Sequence, residues 1–422
     1  MENFHTEARR SQRHRGMGMT MRLDNVVRIY SPNTTSRSYM TGMDGIKCVH
    51  YGDIYKNYTD KELKSSDILN SISIDYPEQK IIKQNAIIIA DVSETIDDWG
   101  HVTFINFDGT PYINGTHTIA IVSDCETTLR YLFFLLRNDT NIKMLRQFLT
   151  GVTVFQMSIK SLSSFKLELP PIPTQTRIAD ILSVYDDVIE NNNRRIALLE
   201  KAARELYREW FVRFRFSGYE KAKFVNGLPE GWEVKKVGDI VGVGRGSSPR
   251  PITDGKYFSN GDIPWIKIAD ATKSTKFILE TKEYVNEYGA SFSRKLPVGS
   301  MIIAASGTLG FPMFLGVEGC IHDGWMYFFD ISETSKEYLY FVLLSLGQYY
   351  NSISYGAAIQ NINTEIIRNS KVIIPRKTIL GQFTAIISNI DCLIQNLLRQ
   401  SQNLARQRDL LLPRLMSGKL EV

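Results

Sequence analysis

The chain has 422 residues, a net charge of +5 and 43% hydrophobic residues, with a pI near 8.8. Its length allows two to four domains, and each half can bury a core of its own. The mild basicity permits an anionic partner without demanding one and excludes a histone-like charge density, and no apolar run approaches the roughly 20 residues of a membrane helix.

Cys48, Cys125, Cys320 and Cys392 are scattered without a CxxC pair, so they read as reduced cytoplasmic thiols rather than a metal site or disulfide frame. Residues 1–18 hold several arginines but no apolar core, unlike a secretory signal. They read as a disordered basic tail or an over-extended start; a basic arm for DNA is the alternative. Residues 19–173 read as a mixed α/β module. Short β-rich runs (Asn85–Ala90, His101–Phe107) lie between Gly, Pro, Asn and Asp clusters, and an apolar helical run follows at Leu129–Asn138.

Residues 174–216 carry a long helical pattern. Leu182, Tyr185, Ile189, Asn192, Ile196 and Leu199 recur at alternating steps of three and four, the seam by which a helix buries one stripe against another. At about 1.5 Å per residue the stretch from 178 to 213 is roughly 50 Å long and overhangs a small domain, so its natural partner is its own repeat. Asn192 on this seam is either buried, fixing register, or reaches water at a frayed edge. Residues 217–229 read as a linker. Residues 230–377 read as a second mixed α/β module, with strands at Met301–Ala305 and Trp325–Phe329 and an apolar helical run from Lys336. Residues 378–422 carry the second long helix, with Ile387, Ile390, Ile394 and Leu397 in the same register and Ser401 and Arg408 interrupting it. Those gaps are either docking points for another protein's helix or imperfect packing.

The second half repeats the first. A constant shift of 205 residues aligns Gly151 with Gly356, Lys166 with Lys371, Pro170 with Pro375, Asp186 with Asp391 and Asn191 with Asn396. Upstream the shift grows: Asn85–Ala90 pairs with Gly299–Ala304, and Ile46–Asp53 with Ile263–Asp270. A repeat of this size is a duplicated domain rather than a solenoid unit. Two copies of one binding module suggest a partner with two sites to be read.

Chemistry is sparse. There is no P-loop and no methyltransferase tetrapeptide, and Gly242–Gly246 runs into Ser-Ser-Pro-Arg-Pro, which cannot open a helix around a nucleotide. Asp270, Glu280 and Lys282 mimic a metal nuclease only at loose spacing. Binding fits better. Arg245, Gly246, Ser247, Ser248 and Arg250 place two guanidinium groups and two hydroxyls on a glycine-opened loop, and Arg can bond guanine bidentately while Ser serves phosphate or base. Lys267 ends the strand of Ile263–Asp270, and Ser306 and Thr308 form a polar turn after Met301–Ala305.

The GRGSSPRP loop, the DIPWIKIAD strand, MIIAASGT, LELPPIPTQTRIADIL and the closing LLLPRLMSGKL together resemble the specificity (S) subunit of type I restriction-modification enzymes from about residue 19 onward. The resemblance implies an α/β (α+β) architecture. Two mixed α/β target-recognition domains, each reading half of a split DNA site, are separated by two long antiparallel coiled-coil helices with internal pseudo-two-fold symmetry. It also implies two methyltransferase subunits carrying S-adenosylmethionine, which methylate adenine at N6, and two motor/nuclease subunits using ATP and Mg²⁺. This chain would itself be a non-catalytic, cytoplasmic subunit on double-stranded DNA, with no cofactor of its own and no membrane. The first module lacks a GRGSSPRP-like loop, so Arg37, His50, Tyr51 and Lys56 are its nominated DNA contacts. The rival functions are a nuclease or methyltransferase acting alone through Asp270, Glu280 and Lys282, and a coiled-coil scaffold that binds no DNA.

Overall fold

The computed structural model describes residues 19–34, 40–41, 45–73, 80–271, 275–306, 310–331, 334–354 and 362–422. These fall into two units. One holds the described residues up to Glu190 together with Gln402–Val422, and the other spans Asn191–Ser401.

In the first unit a five-stranded sheet runs in the order Arg28–Tyr30, Thr118–Val122, Ala86–Ala90, Val102–Asn106, Glu62–Lys64. The first three pairings are antiparallel and the last is parallel. Ala86–Ala90 is apolar throughout because both its faces are buried. Ile87 and Ile89 pack with Leu129, Leu132 and Phe133 of the helix Glu126–Leu135. Ala86, Ile88 and Ala90 pack on the other side with Val49, Ile54 and Tyr112. That second layer is a smaller sheet, ordered Tyr112–Asn114, Ile46–Val49, Ser71–Ile72, Met40–Thr41.

The second unit repeats this topology. Its large sheet runs Gly242–Arg245, Trp325–Phe329, Met301–Ala304, Pro312–Leu315, Phe277–Ile278, with the same sequence of three antiparallel pairings and one parallel. Met301 and Ile303 join the cluster containing Leu339 and Phe383, while Ile302 and Ala304 join the one containing Ile266 and Ile321. In the small sheets, Ile46–Val49 and Ile263–Ile266 pair in parallel with Tyr112–Asn114 and Gly319–Ile321 respectively. The added edge strand differs. It is Met40–Thr41 on one side in the first unit and Arg294–Leu296 on the other side in the second.

An antiparallel clasp ties the ends of each module. Met19–Arg22 pairs with Lys166–Leu169, and Glu233–Lys236 with Lys371–Ile374. Each closing strand leads into a long helix, Ile172–Tyr207 and Lys377–Met416. The first therefore begins before residue 174. It continues as a wider turn over Arg208–Val212 and ends before 216, where Phe214 takes a left-handed φ of +56°. The second begins at Lys377 and stops at Met416, with Gly418 at φ +67°. Residues 217–229 are not a plain linker. They fold into a hairpin, Phe224–Val225 on Leu228–Pro229, because Asn226 and Gly227 both take the positive φ that a tight hairpin turn requires.

Within the second unit the two long helices are antiparallel, since Asn192 meets Ser401 while Trp210 meets Phe383. Leu182, Ile196, Ile387, Ile394 and Leu397 are buried, and Tyr185, Ile189, Leu199 and Ile390 half-buried. Asn192 is 2% exposed and donates to Gln400 Oε1 at 3.1 Å and Ser401 Oγ at 3.2 Å, so it does not fray into water. In the first unit, Arg408 bonds Asp186.

A buried ion pair fastens each module to its helices. Lys276 Nζ lies 2.7 Å from both carboxylate oxygens of Asp391, with its side chain 3% exposed. The rings of Tyr340, Phe341 and Phe314 surround it at 4.3, 5.1 and 5.2 Å. Burial pulls the Lys276 ammonium below its ordinary value and pushes Asp391 above its own; each partner opposes the shift of the other. At the matching helix position, Asp186 receives Arg137 at 2.6 Å, stacked over Phe133 at 4.9 Å and Phe134 at 5.3 Å.

Replacing Asp391 by Ala leaves a buried ammonium unpaired and should destabilise the second unit by about 3–5 kcal/mol. Replacing Lys276 by Met and Asp391 by Leu together should restore most of that loss. Urea unfolding followed by tryptophan fluorescence reads the effect, because Trp210, Trp232, Trp265 and Trp325 lie in this unit and Trp99 in the other.

Candidate nucleic-acid interface

The large sheet of the second module begins with Gly242–Arg245 at its edge. The chain leaves that strand at Gly246, whose N–H donates to Trp325 O at 2.8 Å. A Cβ on Gly246 would lie 2.3 Å from His322 O, so the glycine serves close backbone approach. The loop that follows gathers around the turn His322–Asp323–Gly324. Arg245 Nε donates to Asp323 O at 2.9 Å, the Arg250 guanidinium bonds the Asp323 carboxylate, and Asp323 N–H donates to Ser248 Oγ at 3.2 Å. Ser293 Oγ donates to Ser247 O at 2.7 Å and holds the loop from the other side. Arg245, Ser247 and Arg250 are exposed, Ser248 is half-buried and Gly246 is buried.

Lys267 belongs to the same neighbourhood. Its Nζ pairs with Glu283 at 2.5 Å and lies 5.3 Å above the Trp265 ring, which in turn lies 5.5 Å from His322. Ser306 is half-buried beside the turn, its Oγ 2.8 Å from where a Cβ on Gly324 would sit. Thr308 and Arg37 lie outside the described residues. Exposed ion pairs such as Arg250–Asp323 and Lys267–Glu283 contribute at most about 1 kcal/mol each. Their cations can therefore exchange a carboxylate for a phosphate or a base edge at little cost.

Asp270 has a different task. Its carboxylate accepts from Lys267 N–H at 2.8 Å and from Thr281 Oγ1 at 2.9 Å, capping the short helix Ile268–Ala271. In the first module Asp53 does the same, accepting from His50 N–H at 3.3 Å and Asn70 Nδ2 at 2.8 Å. The cap explains why both strands end in the same spacing, and it gives Asp270 a structural role that the nuclease-like pattern did not foresee. Among the described residues no three His, Cys, Asp or Glu side chains are placed to hold a metal ion.

In the first module His50 is buried, its Nδ1 accepting from Gly52 N–H at 3.2 Å. Tyr51 is half-buried, 4.5 Å from the His50 ring and edge-on to His117 at 5.4 Å. Lys56 is exposed on the turn Ile54–Tyr58. Arg28–Tyr30 occupies the place of Gly242–Arg245 in the sheet, so Ser31–Thr34 takes the topological place of the GRGSSPRP loop without its arginines. Its Asn33 is buried, donating to Asn114 O at 2.9 Å and accepting from Lys80 N–H at 2.8 Å. The sequence reading also missed His322 and Asp323. The Asp-Gly step between two apolar strands was the available signal.

Two copies of one layered module, each clasped onto a long helix and each presenting polar turns at strand ends, define an internally duplicated two-module protein. Residues 41–201 and 229–404 match the family described as the type I restriction modification DNA specificity domain, and the chain belongs to that family. It is 29% identical over 306 residues to the type I restriction enzyme MjaIX specificity subunit of Methanocaldococcus jannaschii, covering 69% of each chain. It is 26% identical over 459 residues to the HindI specificity subunit of Haemophilus influenzae, covering 92% of this chain and 97% of that one. In fold it is similar to the crystal structure of a type I restriction-modification S subunit from M. genitalium. That match has a TM-score of 0.58 at 13% identity and covers 94% of this chain and 95% of that chain. Among the described residues no helix is long and apolar enough to cross a membrane.

Burial pulls the His322 imidazole below its ordinary value, and Lys267 and Arg250 add to the effect while Asp323 opposes it. The folded protein thus binds fewer protons there than the unfolded chain. The stability this contributes is complete above about pH 6.5 and is lost as the pH falls below it. The urea midpoint of the second unit should therefore drop on acidification, and His322→Asn should flatten part of that slope. Parallel slopes for the two proteins would show that His322 is not buried in its neutral form.

Proposed function

We propose that this chain is the non-catalytic DNA-reading subunit of a type I restriction-modification enzyme, acting in the cytoplasm on a bipartite site. Each module reads one half-site on double-stranded DNA. Lysines and arginines on phosphates supply affinity, and a few polar groups on base edges supply specificity. The two long helices set the unread spacer and recruit two methyltransferase subunits, which bring S-adenosylmethionine to adenine N6. Two motor/nuclease subunits bring ATP and Mg²⁺. The observation that carries this reading is the shared sheet topology of the modules beside their divergent polar turns: one scaffold, two surfaces. The occupied carboxylate of Asp270 speaks against a nuclease acting alone.

Inserting one four-residue turn into both long helices, at the level of Asn192 and Gln400, should lengthen the spacer of the methylated motif and leave both half-sites unchanged. Altered half-sites would overturn the spacer role. Arg245→Ala and Arg250→Ala should each cost about 1–3 kcal/mol in binding and relax only the second half-site. Fluorescence anisotropy of the full chain on cognate and random duplexes measures this. Equal affinity of the unaltered chain for both duplexes would favour a scaffold. Turnover of DNA by the purified chain with Mg²⁺ and S-adenosylmethionine would favour an enzyme.

A further inference from the structure

The first module carries a second polar turn at the place where the second module gathers its arginines. Gly115–Thr116–His117 joins Tyr112–Asn114 to Thr118–Val122, as His322–Asp323–Gly324 joins Gly319–Ile321 to Trp325–Phe329. His117 therefore stands where the second module has Gly324. Its backbone is left-handed, with φ at +58°. A β-carbon costs free energy in that conformation, less for histidine than for most residues, and the strain marks the imidazole as a candidate for a role beyond the turn itself.

The surroundings of the ring supply one. Asp91 follows the central strand Ala86–Ala90 and is 4% exposed. Its Oδ2 accepts from Gln156 Nε2 at 3.2 Å. Its Oδ1 has no hydrogen-bond partner among the described residues and lies 3.7 Å from His117 Nδ1. A buried carboxylate oxygen left in this state is costly unless a donor approaches it. The second module has Ala305 after the corresponding strand and Gly324 at the corresponding turn position, so it lacks both the aspartate and the histidine. Tyr51 meets the imidazole edge-on at 5.4 Å and fixes its tilt. The His117 side chain is still 45% exposed. With Nδ1 turned to Asp91, the free face of the ring is the Nε2 edge.

We infer that His117, oriented by Asp91 and Tyr51, is a specificity-determining residue of the first module, bonding a base edge of the first half-site through Nε2. Asp91 is a positioning residue. This inference rests on the DNA-reading function proposed above.

Full-length chain is titrated, by anisotropy at fixed salt, against a panel of duplexes carrying single substitutions in either half-site. His117→Gly should remove roughly tenfold of the discrimination at one position of the first half-site, the scale of one base contact. It should leave the second half-site and non-cognate affinity unchanged. Its unfolding midpoint should shift little, because the relief of the left-handed backbone is set against the loss of the donor beside Asp91. His117→Gln and Asp91→Asn should lose part of the discrimination at the same position. A uniform fall across all duplexes, or no change at any position, would overturn the assignment while leaving the DNA-reading function intact. Absence of sequence discrimination by the unaltered chain would instead sink that function.

Discussion

Each module depends on one carboxylate, placed at the same step of its long helix. Asp391 neutralises Lys276 inside a cage of aromatic rings, and Asp186 neutralises Arg137 over two phenylalanines. Burying a charge is unfavourable unless geometry and hydrogen bonds are nearly ideal, so such a pair tolerates little displacement of either partner. The cations come from different elements. Lys276 precedes the edge strand Phe277–Ile278, whereas Arg137 follows the helix Glu126–Leu135. The helix position is the constant, and each module meets it in its own way. That pattern fits a helix under tight geometric demand carrying modules free to diverge.

The layering explains where the divergence can go. The large sheet of each module is covered on both faces, so its central strands are apolar on both sides and leave little room for change. Polar variation is confined to strand ends, turns and the outer strand of the small sheet. The edge strands Met40–Thr41 and Arg294–Leu296, added on opposite sides of otherwise matching sheets, are the largest instance. An edge can be moved without disturbing the buried pairings beside it, which is why it differs while the three shared strands do not.

Much of this was legible in the residues. Apolar runs such as Ile87–Ile89 announced buried strands, the steps of three and four announced the helical seam, and the constant shift announced duplication. Three things were not legible. The two-residue strands Met40–Thr41 and Ser71–Ile72 carry no period, so they left no trace, whereas Ile263–Ile266 of the matching sheet did. Asp53 and Asp270 look like loosely spaced acids until their N–H donors are seen. Pairs such as Lys276–Asp391 and Asp91–His117 join residues far apart in the chain, and nothing local in either partner points to the other. The hairpin at Asn226–Gly227 is a different case. Its Asn-Gly turn signal was present in the residues.

The two candidate surfaces differ in their chemistry as well as their residues. The second holds its cations on nearby carboxylates, Arg250 on Asp323 and Lys267 on Glu283. The first uses rings, Tyr51 between His50 and His117, with its carboxylate buried behind them. On the proposed reading this difference bears on specificity. A cation already paired gains little from a phosphate alone, since one weak exposed ion pair replaces another. The exchange becomes favourable when a base edge adds bonds that the carboxylate could not make. Pre-pairing therefore suppresses non-cognate binding more than cognate binding, which is a direct way to widen a difference of affinities. In the first module the same end would be served by orientation. A ring held on two sides can satisfy only a base edge that meets it at one angle.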